Sequence, residues 1–517
     1  METRELDLAQ RMELALRNMR RSLDERQGDL PFFTYSLFDT PVRAHHGAFD
    51  SPHVVGRFLN SIHHIRRSFG ISAPGDLVDR LARLLLPTVA RVEGDGAGLA
   101  WNQQTPAQPA GALGHNQREA LLGLISLAWC AGSSEAYERA QALIRACRRH
   151  VGSAGQFPGG LYQAGRWVRS GMLDEAPAQS GRMIRALLLF HRLDGDLEAL
   201  ELARTLAQHN AAVCFTDEGR ITAQAGTHVH SITGTITALL DLGIYLKDAA
   251  LIERARRAFD VGTLPYRSSF GWVQEIIGSK HERGEANNSG DILESMVLIA
   301  RHLDRRYWSA ASKTLQNHLV RSQFADPGLF ETSGGAPEGD AAEVIDRALG
   351  GFFFTSPADF KSHPEDHAPI NTDLVGGATE GICEAYSAAH EDDGVNLRIH
   401  LVVTRRSSVC DVQADPSTSR LDITLREPRA LSVRVPDNTQ RDRVSVLFNG
   451  EPVAPTVVDN YLHVGGTRRW GRVRVEFPPK AVSETFILNG SEYRGVWVGE
   501  RLQKLSGSQV LFKEIYS

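Results

Sequence analysis

A chain of 517 residues, 42% hydrophobic and 23% charged, is too long for one ordinary core, and its balance excludes wholesale disorder and a membrane-embedded protein. A formal charge of −5, with no basic stripe interleaved with aromatics, argues against a nucleic-acid partner. Five scattered cysteines without a Cys-x-x-Cys pair, a charged N-terminus and no stretch of membrane-spanning length predict reduced thiols in a cytoplasmic protein.

Residues 1–24 carry Leu6, Met12, Leu16 and Met19 on one face and charge on the other, which predicts a separate N-terminal helix. It can pack on the rest of the chain or bridge two subunits of a homodimer. Through the first three quarters a theme recurs: an apolar helix, a short Gly/Asp/Ser turn, then a second helix with alanine at close-packing positions. Four copies are legible, with first helices at Leu121–Trp129, Ile184–Phe190, Ile232–Tyr245 and Ile292–His302. Their turns, near Ser133, Asp194, Lys247 and Asp304, are 61, 53 and 57 residues apart, which implies stacked helical hairpins. Long irregular segments at 25–55, 95–117, 152–180, 261–290 and 325–375 favour an (α/α)6-type toroid over an open solenoid, with functional loops.

Near residue 395 the period becomes alternating. Asn396–Thr404, Arg420–Arg426, Ala430–Val435, Val444–Phe448, Tyr461–Val464 and Val473–Phe477 read as strands, with Asn449-Gly450 as a hairpin turn. The expected architecture is mainly α with an all-β C-terminal domain: helix 1–24, toroid 25–394 and antiparallel β-sandwich 395–517.

Three carboxylates stand out. Glu275 follows Trp272 in a loop, where burial against the indole would favour the neutral form that a general acid needs. An isolated Glu is more often a solvated residue. Asp291 opens an apolar helix, where it can contact substrate or simply act as a cap. Glu380 follows Gly376 and Gly377 into another helix, where bare backbone can approach a ligand, or where the glycines only pack and Glu380 complements the dipole. His115, Arg118, His228 and His230 lie in loops or helix starts and suit sugar hydroxyls; the i, i+2 spacing of the last pair argues against a metal site built from those two. Trp167 and Trp272 are candidate stacking platforms for a sugar, although a single aromatic is more often core.

The order of these segments resembles the β-L-arabinofuranosidases of glycoside hydrolase family 127 over most of residues 115–500. The likeness is carried by Gly271-Trp272-Val273-Gln274-Glu275, the helix at Asp291, Tyr307-Trp308 to Gln323, and His228-Val229-His230-Ser231. It continues through Val395-Asn396-Leu397, Leu431 to Pro436 and Phe448 to Val453. The resemblance implies a toroid and sandwich, Glu275 as acid/base, a cysteine thiolate as nucleophile, and zinc held by a Glu-x-Cys helix start and two adjacent cysteines. Here Asp291-Ile292-Leu293 and Gly376-Gly377 stand at those positions, so the thiolates are lost and no zinc or other cofactor is expected. The favoured reading is a hydrolase of a furanoside or related glycoside with Glu275 as general acid and Asp291 or Glu380 as the second carboxylate. The alternatives are a non-catalytic sugar binder, a histidine-using isomerase or epimerase, and a polysaccharide lyase with Arg118 or Arg166 as clamp.

Overall fold

The helices are of two kinds, set by where their apolar residues fall. The computed structural model describes residues 7–89, 94–102, 111–171, 175–330, 339–415, 417–507 and 509–516. In chain order the helices are α1 (Leu8–Arg21), α2 (Val55–Phe69), α3 (Leu77–Leu85), α4 (Gln117–Cys130), α5 (Ser134–His150), α6 (Pro177–Gly181) and α7 (Met183–Asp194). They continue as α8 (Leu197–Cys214), α9 (Val229–Leu246), α10 (Ala249–Arg257), α11 (Ala286–His302), α12 (Tyr307–Thr314), α13 (Asp340–Ala348) and α14 (Leu374–Ala388). One kind is amphipathic: α1, capped by the Asp7 carboxylate, buries Leu8, Met12, Leu16 and Met19, and α10 buries only Ala255. The other is buried nearly all round: α4 from Gln117 to Leu127, and α9 from Val229 to Gly243 apart from Gly234.

A helix apolar on every side needs neighbours on every side. α2, α4, α6 with α7, α9, α11 and α14 supply them to one another in a closed ring, each packing on the next and α14 returning to α2. α3, α5, α8, α10, α12 and α1 lie outside this ring, with α1 resting across α14 and α2 and its apolar face in the main core. This is an (α/α) toroid. Val229–Leu246 is long and apolar enough to cross a membrane by composition, and here it is a buried inner helix.

Two seams of the ring are lined by glycine. A Cβ on Gly56 of α2 would lie 2.0 Å from the Glu119 carbonyl oxygen of α4, and one on Gly290 of α11 would lie 2.3 Å from the Gly377 carbonyl oxygen of α14. Short turns join inner to outer helices at one end of the ring. All five long segments read from the sequence lead into inner helices at the other end. Residues 1–6 of the N-terminal segment, and 103–110, 172–174 and 331–338 of the long segments, lie outside the described residues.

In the β region, the expected strands Arg420–Arg426 and Ala430–Val435 are, apart from Val435, halves of one strand, Arg420–Arg434. Likewise Tyr461–Val464 and Val473–Phe477 belong to Tyr461–Glu476, apart from the last residue. Register slips between Leu425 and Leu431, around Pro428, which has no N–H for the ladder. Before the slip the strand pairs with Cys410–Asp415, and after it with Asn396–Ile399, so the sheet folds over and both halves share one core. Asn449 and Gly450 take φ +51° and +89°, as a two-residue hairpin turn requires. Three further strands, Ala481–Leu488, Ser491–Val498 and Arg501–Ser506, form a meander. Its Phe486, Tyr493 and Trp497 join Phe270, Trp272 and Phe353 in a second core, so the chain end packs on the toroid.

Candidate active site

Because the long segments all enter at one end, the first turns of the inner helices converge there with their polar residues. Glu119 of α4 lies at the centre, 0% exposed. Its Oε1 faces Arg118 Nη1 at 3.0 Å, Arg182 Nη2 at 3.0 Å and Arg57 Nη2 at 3.4 Å. Burial opposes the charge of Glu119, but Arg182, His53, Arg118 and Arg57 outweigh it and hold the carboxyl well below the usual range. His115 stacks on His53 with ring centroids 4.9 Å apart; burial, Arg182 and His53 keep it well below an ordinary imidazole.

Asp291 projects from the second turn of α11 into the same cluster and is 7% exposed. The helix begins at Ala286, five residues before it, so Asp291 is not a cap. His230 Nδ1 lies 2.8 Å and Thr233 Oγ1 2.7 Å from Asp291 Oδ2. Burial pushes this carboxyl up to about 7, although Thr233, Arg118 and Arg182 pull the other way. His230 is itself held well below the ordinary range by burial and by Arg182 and Arg57.

Glu275 sits beside this cluster, near His228 and Glu285. Both its oxygens accept from Arg283 Nη1, at 3.0 and 2.9 Å, and its side chain is 19% exposed. Burial raises it, Arg283 opposes, and the neighbouring Glu285 raises it further. Its main-chain carbonyl accepts from Val229 N at 2.9 Å, and His228 Nε2 lies 3.5 Å from Glu285 Oε2, which ties this loop to the start of α9. Trp272, expected as the neighbour of Glu275 and a sugar platform, is 1% exposed; its Nε1 donates to the Thr355 carbonyl, leaving no face for a ligand. Trp167 packs edge-on against Tyr162 and Phe157 and donates to His150 Nδ1, in an aromatic group of its own.

Glu380, one turn deeper on α14, faces Arg185 Nη1 at 3.4 Å and Arg118 Nη2 at 3.7 Å. Burial opposes its charge, but Arg185, Arg118 and His64 outweigh it and hold the group below the ordinary value. Arg185 also binds Glu294, so this layer is an ion network. The cluster therefore offers Asp291, a carboxyl that keeps its proton near neutrality, beside Glu119 and Glu380, which arginines hold ionised; burial pushes Glu294 well above the usual range despite Arg185.

No protein-family model matches the sequence, and no curated protein matches it. Solved structures do. A GH127 β-L-arabinofuranosidase from Geobacillus stearothermophilus T6 superposes with a TM-score of 0.59 at 13% identity, covering 94% of this chain and 80% of that one. A second GH127 β-arabinofuranosidase gives 0.63 at 12% identity over 96% and 82%, and a structure described as a glycoside hydrolase gives 0.57 at 12% over 87% and 76%. The chain has the fold of the family 127 β-L-arabinofuranosidases.

The zinc that the family 127 resemblance implies does not suit the residues present. By the resemblance, Leu293, Gly376 and Gly377 take the three sulfur positions, and the space beside both glycines is filled. A Cβ on Gly376 would lie 2.9 Å from Arg57 Cβ, and one on Gly377 would lie 2.4 Å from Asn287 Oδ1. Cys383 is a turn or more further along α14, fully buried, with burial pushing its thiol up. Among the described residues no three His, Cys, Asp or Glu side chains are spaced to hold a metal ion. The Arg57 stem and the Asn287 side chain fill the space beside the two glycines.

The structure thus brings His115, Arg118, His228, His230, Asp291, Gly376, Gly377 and Glu380 together, with Glu275 at the margin. Sequence reasoning passed over Arg57, Glu119, Arg182, Glu285, Asn287 and Asp373. One signal was available: Arg57 and Glu119 are charges near the starts of α2 and α4, and a charge buried in such an inner helix must find a partner within the ring.

Proposed function

We propose that this protein is a glycoside hydrolase in which Asp291 delivers the proton to the leaving-group oxygen. The observation that carries the reading is Asp291 itself: buried, raised to about 7, with one oxygen engaged by His230 and Thr233. A general acid works best with a pKa near the operating pH. The sequence had pointed to Glu275 for this role; here both its oxygens are engaged by Arg283, and we assign it the part of the second carboxylate. Glu275 is the companion base, taking a proton from the attacking water as Asp291 gives one to the departing sugar. Arg118, His115 and His228 supply donors and acceptors for sugar hydroxyls. The shared fold with the two arabinofuranosidases supports a furanoside or related glycoside as substrate, and the arginine-filled space beside Gly376 supports a reaction without zinc.

The test is a product screen over aryl glycosides and oligosaccharides, followed by Asp291→Asn and Glu275→Gln on whichever substrate is cleaved. Each substitution is expected to lower kcat by about 10²–10⁴-fold while sugar binding stays measurable. Full activity in Asp291→Asn would refute the assignment. Binding without product across the whole panel would make the protein a sugar binder on this scaffold.

A further inference from the structure

Arg57 and His230 meet in a way that fixes the position of a proton. Arg57 Nη2 lies 2.7 Å from His230 Nε2, and His230 Nδ1 lies 2.8 Å from Asp291 Oδ2. A guanidinium has N–H donors and no acceptor. His230 Nε2 therefore receives this bond on its lone pair, and the ring proton sits on Nδ1, from which it is donated to Asp291. A second proton on the ring would set N–H against N–H. The groups facing the ring reinforce this: burial, Arg182 from the α6–α7 junction, Arg57 from α2, His228 and Arg118 from α4 all disfavour an imidazolium, against the Asp291 carboxyl from α11.

Arg57 is held for this task. Its Nη1 donates to Asn287 Oδ1 at 3.0 Å and to the Asp373 carbonyl at 3.3 Å, and its Nη2 reaches Glu119 Oε1 at 3.4 Å. Its stem passes where a side chain on residue 376 would stand, since a Cβ on Gly376 would lie 2.9 Å from Arg57 Cβ and 3.0 Å from its Cδ. The bare glycine and the arginine are thus one device.

We infer that Arg57 is the positioning residue of the site, locking His230 as the Nδ1–H tautomer and so committing Oδ2 of Asp291 to accept. Oδ1, which has no hydrogen-bond partner among the described residues, is left as the oxygen that carries and releases the transferable proton. The lock stands on geometry alone; only this last step rests on the reading of Asp291 as the acid.

The experiment uses the full chain with ¹⁵N-labelled imidazoles and long-range ¹H–¹⁵N spectra, in which His230 is assigned as the signal lost in His230→Gln. In the parent, Nε2 should resonate as an unprotonated nitrogen and Nδ1 as a protonated one. Arg57→Met should move both signals toward a tautomer mixture, and Arg57→Lys, which keeps a donor, should restore them. Gly376→Ala keeps every charge but displaces the arginine stem, so it should shift the same signals and guards against misfolding of the methionine variant. Where a substrate is in hand, Arg57→Met should lower kcat about 100-fold with little change in KM. A parent ring protonated on Nε2, or a ring unchanged in both Arg57→Met and Gly376→Ala, would overturn the inference. The expected tautomer in a parent that cleaves no glycoside would uphold the lock and remove the role of Asp291 as acid.

Discussion

Burial pushes Asp291 up to about 7 from 3.8, so the folded chain keeps this proton over a range where the unfolded chain has released it. Below about pH 4 both states are protonated and the group's contribution to stability is fully present; it is lost as pH rises through 7. At about 1.4 kcal/mol per pKa unit, the cost above pH 7 is on the order of 4 kcal/mol. Asp291→Asn should therefore unfold at higher denaturant than the parent at pH 8 and at nearly the same denaturant at pH 4, a comparison that urea titrations at the two pH values make directly. In the parent, turnover should fall as pH climbs past about 7, because the acid has by then lost its proton. His230, Asp291 and Arg118 were legible because they sit at loop ends or helix starts, where polar residues invite a functional question. Glu119 was not, because a carboxylate inside a leucine-rich helix is informative only once Arg57 and Arg182, from other segments, are known to reach it.

α11 shows how tertiary contacts override local preference. Asn287-Asn288-Ser289-Gly290 reads as a loop, since these side chains compete with the backbone for hydrogen bonds. In the ring those side chains are engaged elsewhere: Asn288 Nδ2 donates to the Gln274 carbonyl and Ser289 Oγ to the Gly271 carbonyl, each at 2.7 Å, while Asn287 Nδ2 donates to Glu285 Oε1 at 2.8 Å. The backbone is then free to be helical from Ala286, one turn earlier than the sequence implied. Gly290 completes the element by letting α11 and α14 meet backbone to backbone, and a Cβ on Gly381 would likewise lie 2.7 Å from Gly290 Cα. Gly290→Ala should wedge the two helices apart and cost about 1–3 kcal/mol in a urea titration, despite the better helix propensity of alanine. An unchanged midpoint would mean that the seam is looser than the distances imply.

At the scale of the whole molecule, the alternation of apolar and amphipathic helices and the change of period near residue 395 made a toroid followed by strands legible from the sequence. The final meander was not, because the partners of its apolar face, Phe270, Trp272 and Phe324, lie some 200 residues earlier. Its attachment is marked by Glu500, which pairs with Arg434 through both oxygens at 2.7 Å and accepts from Ser312 Oγ on α12 at 2.6 Å. Glu500→Ala would strand a buried guanidinium and should cost about 3–5 kcal/mol by denaturant unfolding. α1 rests across α14 and α2, so the earliest and latest helices of the ring share one seam. During synthesis that seam waits for residue 388, and Arg57 finds the Asp373 carbonyl only across a separation of 316 residues. Contacts so distant along the chain form late and slowly. A nascent or truncated polypeptide would carry no weaker rehearsal of the chemistry, for the reaction centre comes into being at the moment the circle shuts.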